Sequence, residues 1–248
     1  MNNKVVYTSI VGNYDSIKEP RYRMPEWDYI CFSNTIPQRE GSIWKIRPIT
    51  FQHIDNSRLS RYPKINPHLV LKEYEYSLWI DANIEFLDNS VEQRINGLIK
   101  DDIFLSLIPH PDRNCIYEEA QICINNGLDS RRKIEQQIKF LKGEKYPENN
   151  GMFENGLIFR RHNEQLICSM NADWWSLYQR YSKRDQLSLG YILWKKNINC
   201  VPFVPDGTNV RNMPSISYVI HKSTFWQSTK IKIQKKINHY LLFFRLKR

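Results

Sequence analysis

Between the apolar run Leu78-Trp79-Ile80 and the apolar Ile84 and Phe86, the chain places Asp81-Ala82-Asn83. Residues i and i+2 on a strand share a face. At a strand end the Asp81 carboxylate and the Asn83 amide oxygen can therefore both turn to one hard cation, Mn2+ or Mg2+. Such a cation can in turn hold a diphosphate. The competing reading is a plain Asp/Asn turn between two strands. A third ligand elsewhere would strengthen the metal reading, and the candidate is His221, after Ile216-Ser-Tyr-Val-Ile220 and before Lys222. Imidazole takes Mn2+ readily and Lys222 could meet a phosphate, whereas a solitary histidine also serves as an ordinary structural residue.

Other groups could line the same cleft. Arg184-Asp185-Gln186 opens a helix, so Asp185 is either a helix cap or a cleft carboxylate for a substrate hydroxyl. Glu154-Asn155-Gly156 precedes a short strand, and Gly156 permits close backbone approach; a simple loop-to-strand junction is the alternative. His110-Pro-Asp-Arg113, followed by Tyr117-Glu118-Glu119, could form an acceptor site or a solvated helix start. Arg58, Arg61 and Lys64 could neutralise a diphosphate or form a solvated helix face. Thr8 to Tyr14 carries no GxGxxG or Walker pattern, which argues against dinucleotide oxidoreductases and P-loop enzymes.

The elements that must position these groups follow from periodicity and punctuation. Strands are expected over Lys4–Val11, Trp27–Phe32, Ile43–Ile49, Tyr76–Ile80, Asp102–Ile108, Asn155–Arg160 and Cys200–Val204. Helices are expected over Asn56–Leu69, broken by Pro63 and Pro67, and over Ser90–Ile99, Ile116–Asn125, Ser130–Gly143, Asn163–Tyr181 and Arg184–Trp194. Strands alternating with helices indicate an α/β domain with a mainly parallel central sheet. In open sheets of that class, ligands bind outside the carboxyl ends of the strands, which is where Asp81 falls.

The chain has 248 residues, 41% hydrophobic and 25% charged, with a net charge of +10. That suits one large soluble domain with an anionic partner. The five cysteines are scattered, without metal-ligand spacing, and read as reduced thiols. The first residues lack the shape of a signal peptide, and no apolar run approaches the roughly 20 residues of a membrane span. The expected location is therefore the cytoplasm. Residues 230–248 hold seven basic residues and no acidic one, with Ile233, Ile237, Tyr240, Leu241 and Phe244 at helical spacing. A basic amphipathic helix of that kind suits the anionic inner face of a membrane; it could also pack on the main domain. Because the tail holds most of the excess charge, nucleic acid is not the expected partner.

Taken together, the segments resemble a GT-A-type glycosyltransferase, and most closely the glycosyltransferase-like group known as domain of unknown function 616. The resemblance rests on Tyr7-Thr-Ser-Ile-Val-Gly-Asn-Tyr-Asp15, Ser60-Arg-Tyr-Pro-Lys-Ile-Asn-Pro-His68, Trp79-Ile-Asp-Ala-Asn83, His110-Pro-Asp-Arg113, Glu154-Asn-Gly156 and Asp185-Gln186. The order of motifs is also similar to that of the family 8 glycosyltransferases. It implies a Rossmann-like GT-A domain over residues 1–225, followed by the basic amphipathic C-terminal helix in residues 226–248. It further implies a nucleotide-sugar donor, UDP-sugar favoured, with Mn2+ or Mg2+ on Asp81, Asn83 and His221. Asn83 stands where the family pattern has a second acid, leaving the metal site one charge short.

By the same resemblance, Thr8, Val11, Asn13, Phe32 and Ser33 would hold the nucleoside, while Arg58, Lys64 and Lys222 would meet the diphosphate. Asp185, Gln186 and Glu154 would stand at the reaction centre, with His110, Arg113, Asn155 and Gly156 against donor sugar and acceptor. The expected activity is sugar transfer to a glycan or lipid-linked acceptor in surface polysaccharide synthesis, with retention of configuration as the family 8 outcome. The alternatives are an inactive membrane-associated scaffold of the same fold and a basic nucleic-acid-binding protein.

Overall fold

A computed structural model describes residues 2–12, 16–204 and 208–218, together with residues 232, 233, 236 and 237. The expected sites at Asn13, His221 and Lys222, and most of the basic tail, lie outside the described residues. The four described tail residues are helical and exposed. Among the described residues no helix is long and apolar enough to cross a membrane.

The chain opens with β1 (Lys4–Ser9), β2 (Trp27–Phe32) and β3 (Trp44–Arg47), then α1 (Asn56–Ile65) and α2 (Pro67–Val70). Next come β4 (Tyr76–Ile80), β5 (Ile84–Phe86), α3 (Ser90–Lys100), β6 (Leu105–Pro109), α4 (Ile116–Asn125) and α5 (Arg131–Gly143). The remainder is β7 (Phe153–Arg161), α6 (Gln165–Arg180), α7 (Gln186–Lys195), β8 (Val201–Pro202) and β9 (Ile216–Tyr218). Seven strands form one sheet in the order β3-β2-β1-β4-β7-β6-β8, and β5 pairs with β9 in a separate two-stranded sheet.

The expectation of a mainly parallel α/β sheet holds. The ladders β1–β2, β1–β4, β2–β3 and β6–β8 are parallel, and β7 alone runs against its neighbours β4 and β6. Alternation within the strands sends side chains to two cores, as expected for a sheet covered on both faces. Val5, Tyr7, Trp79, Leu107 and Ile158 join residues of α4–α7 on one face. Val6, Leu78, Leu157 and Phe159 join Val91, Ile95 and Leu98 of α3 on the other.

Several boundaries differ from the sequence expectation, each for a local reason. The break expected at Pro63 does not occur: Pro63 is buried inside α1, and the chain breaks at Asn66, before Pro67 opens α2. Pro67 suits a first helical position because its missing N–H would have no partner there. β6 starts later than expected because Asp102 turns with φ 54° at the end of α3. β7 starts earlier, at Phe153, so that Glu154, Asn155 and Gly156 belong to the sheet. The β5–β9 pair was not expected; strands of three residues carry too little alternation to be read.

Candidate active site

Because β1, β2, β4 and β6 are parallel, their carboxyl ends reach one edge of the sheet, and antiparallel β7 begins at that edge. Val11, Phe32 and Ser33, Asp81, His110 and Glu154 therefore gather there, although they are far apart in sequence. Gly12, just past β1, has φ 66°, and a Cβ on it would lie 3.3 Å from the Asn56 side chain at the start of α1. That positive φ and close approach both call for glycine. Within this ring Phe32 is a core residue. The Ser33 hydroxyl accepts from the amides of Thr35 and Ile36, so it shapes its own turn. Thr8 is buried within β1, and its hydroxyl has no hydrogen-bond partner among the described residues.

The centre of the edge is a lysine. Lys64, in the last turn of α1, is 1% exposed, yet its ammonium lies 2.7 Å from Asp185 Oδ2 and 3.5 Å from Asp81 Oδ1. It also stands 5.3 Å from the centre of the Trp79 ring. Trp79 Nε1 in turn donates to Asp81 Oδ1 at 3.0 Å. Arg61, one turn earlier on α1, reaches Asp185 at 3.4 Å. Asp185 fulfils both readings its sequence allowed: Oδ1 accepts from the Gln186 amide as the cap of α7, and Oδ2 faces the two cations.

Burial and charge act on these groups in opposite directions. Burial disfavours the charge on Asp185, but Lys64 and then Arg61 outweigh it and hold the carboxyl well below the usual carboxylate range. Burial lowers the pKa of Lys64, with Asp185 and Asp81 opposing the shift.

The α6–α7 loop that carries Asp185 is pinned from several sides. Asp129 accepts from the Ser182 hydroxyl and the Lys183 amide, both at 2.8 Å. Gln137, fully buried on α5, accepts from the Ser182 amide and donates to the Leu187 carbonyl. Asp55, the cap of α1, pairs with Lys183 at 3.3 Å. Arg58 points to this support and not to the cleft: its guanidinium donates to the carbonyls of Tyr178 and Tyr181 and lies over the Tyr178 ring.

β7 supplies the opposite wall. The pairing of β6 with β7 shifts register between Leu107 and Ile108, a bulge of the kind that re-aims side chains at a sheet edge. Inside it the Asp81 amide donates to the Gly156 carbonyl at 2.8 Å. A Cβ on Gly156 would lie 3.6 Å from Asp81 Oδ2, ordinary van der Waals contact, so this wall stands directly against that oxygen. Asn155 is 3% exposed and neither of its amide atoms has a hydrogen-bond partner among the described residues. Burial pushes the Glu154 carboxyl up, while Arg211 at 3.4 Å partly offsets this. His110 meets Arg113 at 3.1 Å, and Arg113 pairs with buried Glu119 at 2.7 Å. Gln186 links the two walls, accepting from Arg184 and donating to the Phe153 carbonyl.

The model of the TOD1/MUCI70 glycosyltransferase-like domain matches residues 1–205. The chain belongs to that family. It is similar to a probable hexosyltransferase, MUCI70 of Arabidopsis thaliana, at 23% identity over 214 residues, 76% of this chain and 36% of that protein. The chain thus spans about a third of that relative's length. Among solved structures it is similar to the WbbM bifunctional glycosyltransferase, with TM-score 0.46 and 13% identity, covering 94% of this chain and 44% of that one. It is also similar to the galactosyltransferase LgtC in complex with donor and acceptor sugar analogues, with TM-score 0.45 and 12% identity, covering 94% and 95%.

For this glycosyltransferase-like domain, sequence reasoning found Asp81, Lys64, Asp185, Gln186 and Glu154, which the fold brings to one edge. It missed the residues that hold them: Trp79, Asp129, Gln137 and Arg211. Trp79 reads as an apolar strand residue, and the others carry no local signal.

The depressed pKa of Asp185 has a definite sign in stability. Its contribution is complete above the unfolded carboxylate value of about 4 and is lost as pH falls through that range towards the folded value. Asp185→Asn is expected to flatten this acid limb and to cost about 3 kcal/mol at neutral pH, because Lys64 loses its nearest counter-charge. Urea unfolding from pH 2 to 7 tests this; an acid limb identical to that of the parent contradicts it.

Proposed function

We infer that this domain transfers a sugar from a nucleoside-diphosphate donor, UDP-sugar favoured, to a glycan or lipid-linked acceptor of a surface polysaccharide. The observation that carries this reading is the Asp81–Lys64–Asp185 cluster at the carboxyl edge of a parallel sheet, in a chain of a glycosyltransferase-like family. With buried Arg160 behind it, the cluster sets three cations, Lys64, Arg61 and Arg160, against two carboxylates. Such a site favours an anionic ligand, as a diphosphate is.

Among the described residues no group of three or more His, Cys, Asp or Glu side chains could hold a metal ion, so a divalent cation here would rest on Asp81 and Asn83 and on oxygens of the substrate. The Asp81 side chain is 35% exposed at the strand end, and Asn83, two residues on, is 6% exposed. A Mg2+-class ion needs only one or two protein oxygens when a substrate diphosphate supplies others. Asp81 and Asn83 would hold it, with His221 as a further ligand outside the described residues. When bound, the cation would neutralise charge on the leaving diphosphate. Lys64 would add a fixed positive charge that needs no reorganisation during the reaction.

A carboxyl held far below its usual pKa is a weak base. Asp185 is therefore suited to remain ionised and to fix a donor-sugar hydroxyl, with Gln186 beside it. Asn155, with both amide atoms unsatisfied, offers a donor and an acceptor to another hydroxyl. His110 and Arg113 would face the acceptor. Retention of configuration accords with the family 8 likeness. Inversion has one observation in its favour: Glu154, raised by burial, is the better proton acceptor of the two acids. An axial or equatorial product bond, read by proton NMR, separates the two routes.

A thermal-shift panel of nucleotide sugars with and without Mn2+ tests the donor reading, since a ligand of the folded state raises stability by mass action. A metal-dependent shift with one nucleotide sugar is expected. Asp81→Ala is expected to keep the parent's fold while lowering donor turnover by about 100-fold or more. Turnover near that of the parent would contradict the reading, and no shift with any donor would favour an inactive scaffold.

The basic stretch 230–248 supports a second part of the reading: attachment to the inner, anionic face of the cytoplasmic membrane. Full-length protein should sediment with vesicles containing anionic lipid at low salt, and release at high salt. Equal sedimentation with neutral vesicles would contradict an electrostatic anchor.

A further inference from the structure

Behind the cleft lies a charged group that has so far entered only as background positive charge. Arg160, on β7, is fully buried, and no carboxylate lies within ion-pair distance of it among the described residues. Its Nη1 donates to Asn171 Oδ1 of α6 at 3.0 Å. Its Nη2 donates to Tyr7 Oη of β1 and to the Lys64 carbonyl, both at 2.5 Å. Tyr7 Oη donates to the same carbonyl at 3.2 Å. Burial pushes the Tyr7 hydroxyl up to about 12, so it stays protonated as a donor. A buried guanidinium without an anion is costly, and an apolar side chain would fill the same space at less cost. Packing alone therefore does not explain an arginine here.

Its position does. Lys64 is in the last turn of α1, where helix carbonyls lack intrahelical donors, and the chain turns away at Asn66. Arg160 and Tyr7 supply those donors from the sheet. The residue whose carbonyl they hold is the one whose ammonium lies between Asp185 and Asp81. A lysine stem is long and flexible, so the placing of its charge depends on how firmly its backbone is held. We propose that Arg160 is a positioning residue that places the Lys64 ammonium between Asp81 and Asp185 by holding the Lys64 carbonyl against the sheet. The proposal rests on the reading of that cluster as the donor site.

Calorimetric titration of the full chain with UDP and MnCl2 tests it, using the parent, Lys64→Met, Arg160→Met and the double variant. Each single change is expected to weaken UDP binding about tenfold, and the double variant should bind within about twofold of Lys64→Met, because the two act through one group. A merely structural arginine would give losses that multiply. Multiplying losses, or a folded Arg160→Met with the parent's affinity, would overturn the proposal while leaving the donor reading intact. Absence of UDP binding by the parent would overturn both. If Arg160→Met does not fold, Tyr7→Phe takes its place. It removes one donor to the Lys64 carbonyl and leaves the arginine. A loss of about threefold that disappears in the Lys64→Met background is expected, and the parent's affinity in Tyr7→Phe would overturn the proposal.

Discussion

The buried ion pair between Lys64 and Asp185 is the contact on which the rest of the site depends. It joins a helix end from the first half of the chain to a loop from the second half. Taking both charges out of water is expensive, and mutual attraction repays this only when geometry is good and the remaining polar groups are satisfied. The structure meets those conditions by surrounding the pair. Arg61 and the α7 amide complete Asp185, while Asp81 and the Trp79 ring complete Lys64. The loop is held by Asp129, Gln137 and the Asp55–Lys183 pair, and the helix end by Arg160 and Tyr7. Removing either charge would leave the other buried without its nearest partner.

The sheet determines where this pair can act. Six strands share one direction, so their carboxyl ends form a common edge. The reversed strand β7 inserts between β4 and β6 and presents Glu154, Asn155 and Gly156 to the same edge from the other side. A parallel strand in that place would have delivered its first residues to the opposite end of the molecule. At the register shift after Leu107, the Gly156 carbonyl accepts from the Asp81 amide. One carboxylate is thus kept ionised, another is pushed towards protonation, and a fixed ammonium lies between two acids. The proposed sugar transfer from a diphosphate donor would use charges separated in this manner.

Much of the fold was legible because the strands are short apolar runs bounded by turns and the helices have clear periods. Trp27–Phe32, Tyr76–Ile80 and Ile116–Asn125 were read to the residue. The direction of β7 was not legible, since an apolar strand reads alike in both orientations. The site was legible where chemistry-bearing residues broke an apolar pattern, as at Asp81 and Asp185. It was not legible where function depends on burial. Lys64 and Arg58 look equivalent on a helix read from sequence; packing buries Lys64 against two carboxylates and turns Arg58 to two carbonyls. Arg160 closes an ordinary strand and becomes a buried charge only through contacts with Tyr7 and Lys64, distant in sequence.

The central claim is that Lys64 and Asp185 depend on one another, and a double-mutant cycle in unfolding free energy measures that dependence directly. Lys64→Met, Asp185→Leu and the double variant would be unfolded in urea beside the parent. Each single change should be strongly destabilising, and the double variant should recover stability, giving a coupling of about 2 kcal/mol or more. Additive losses would contradict the account.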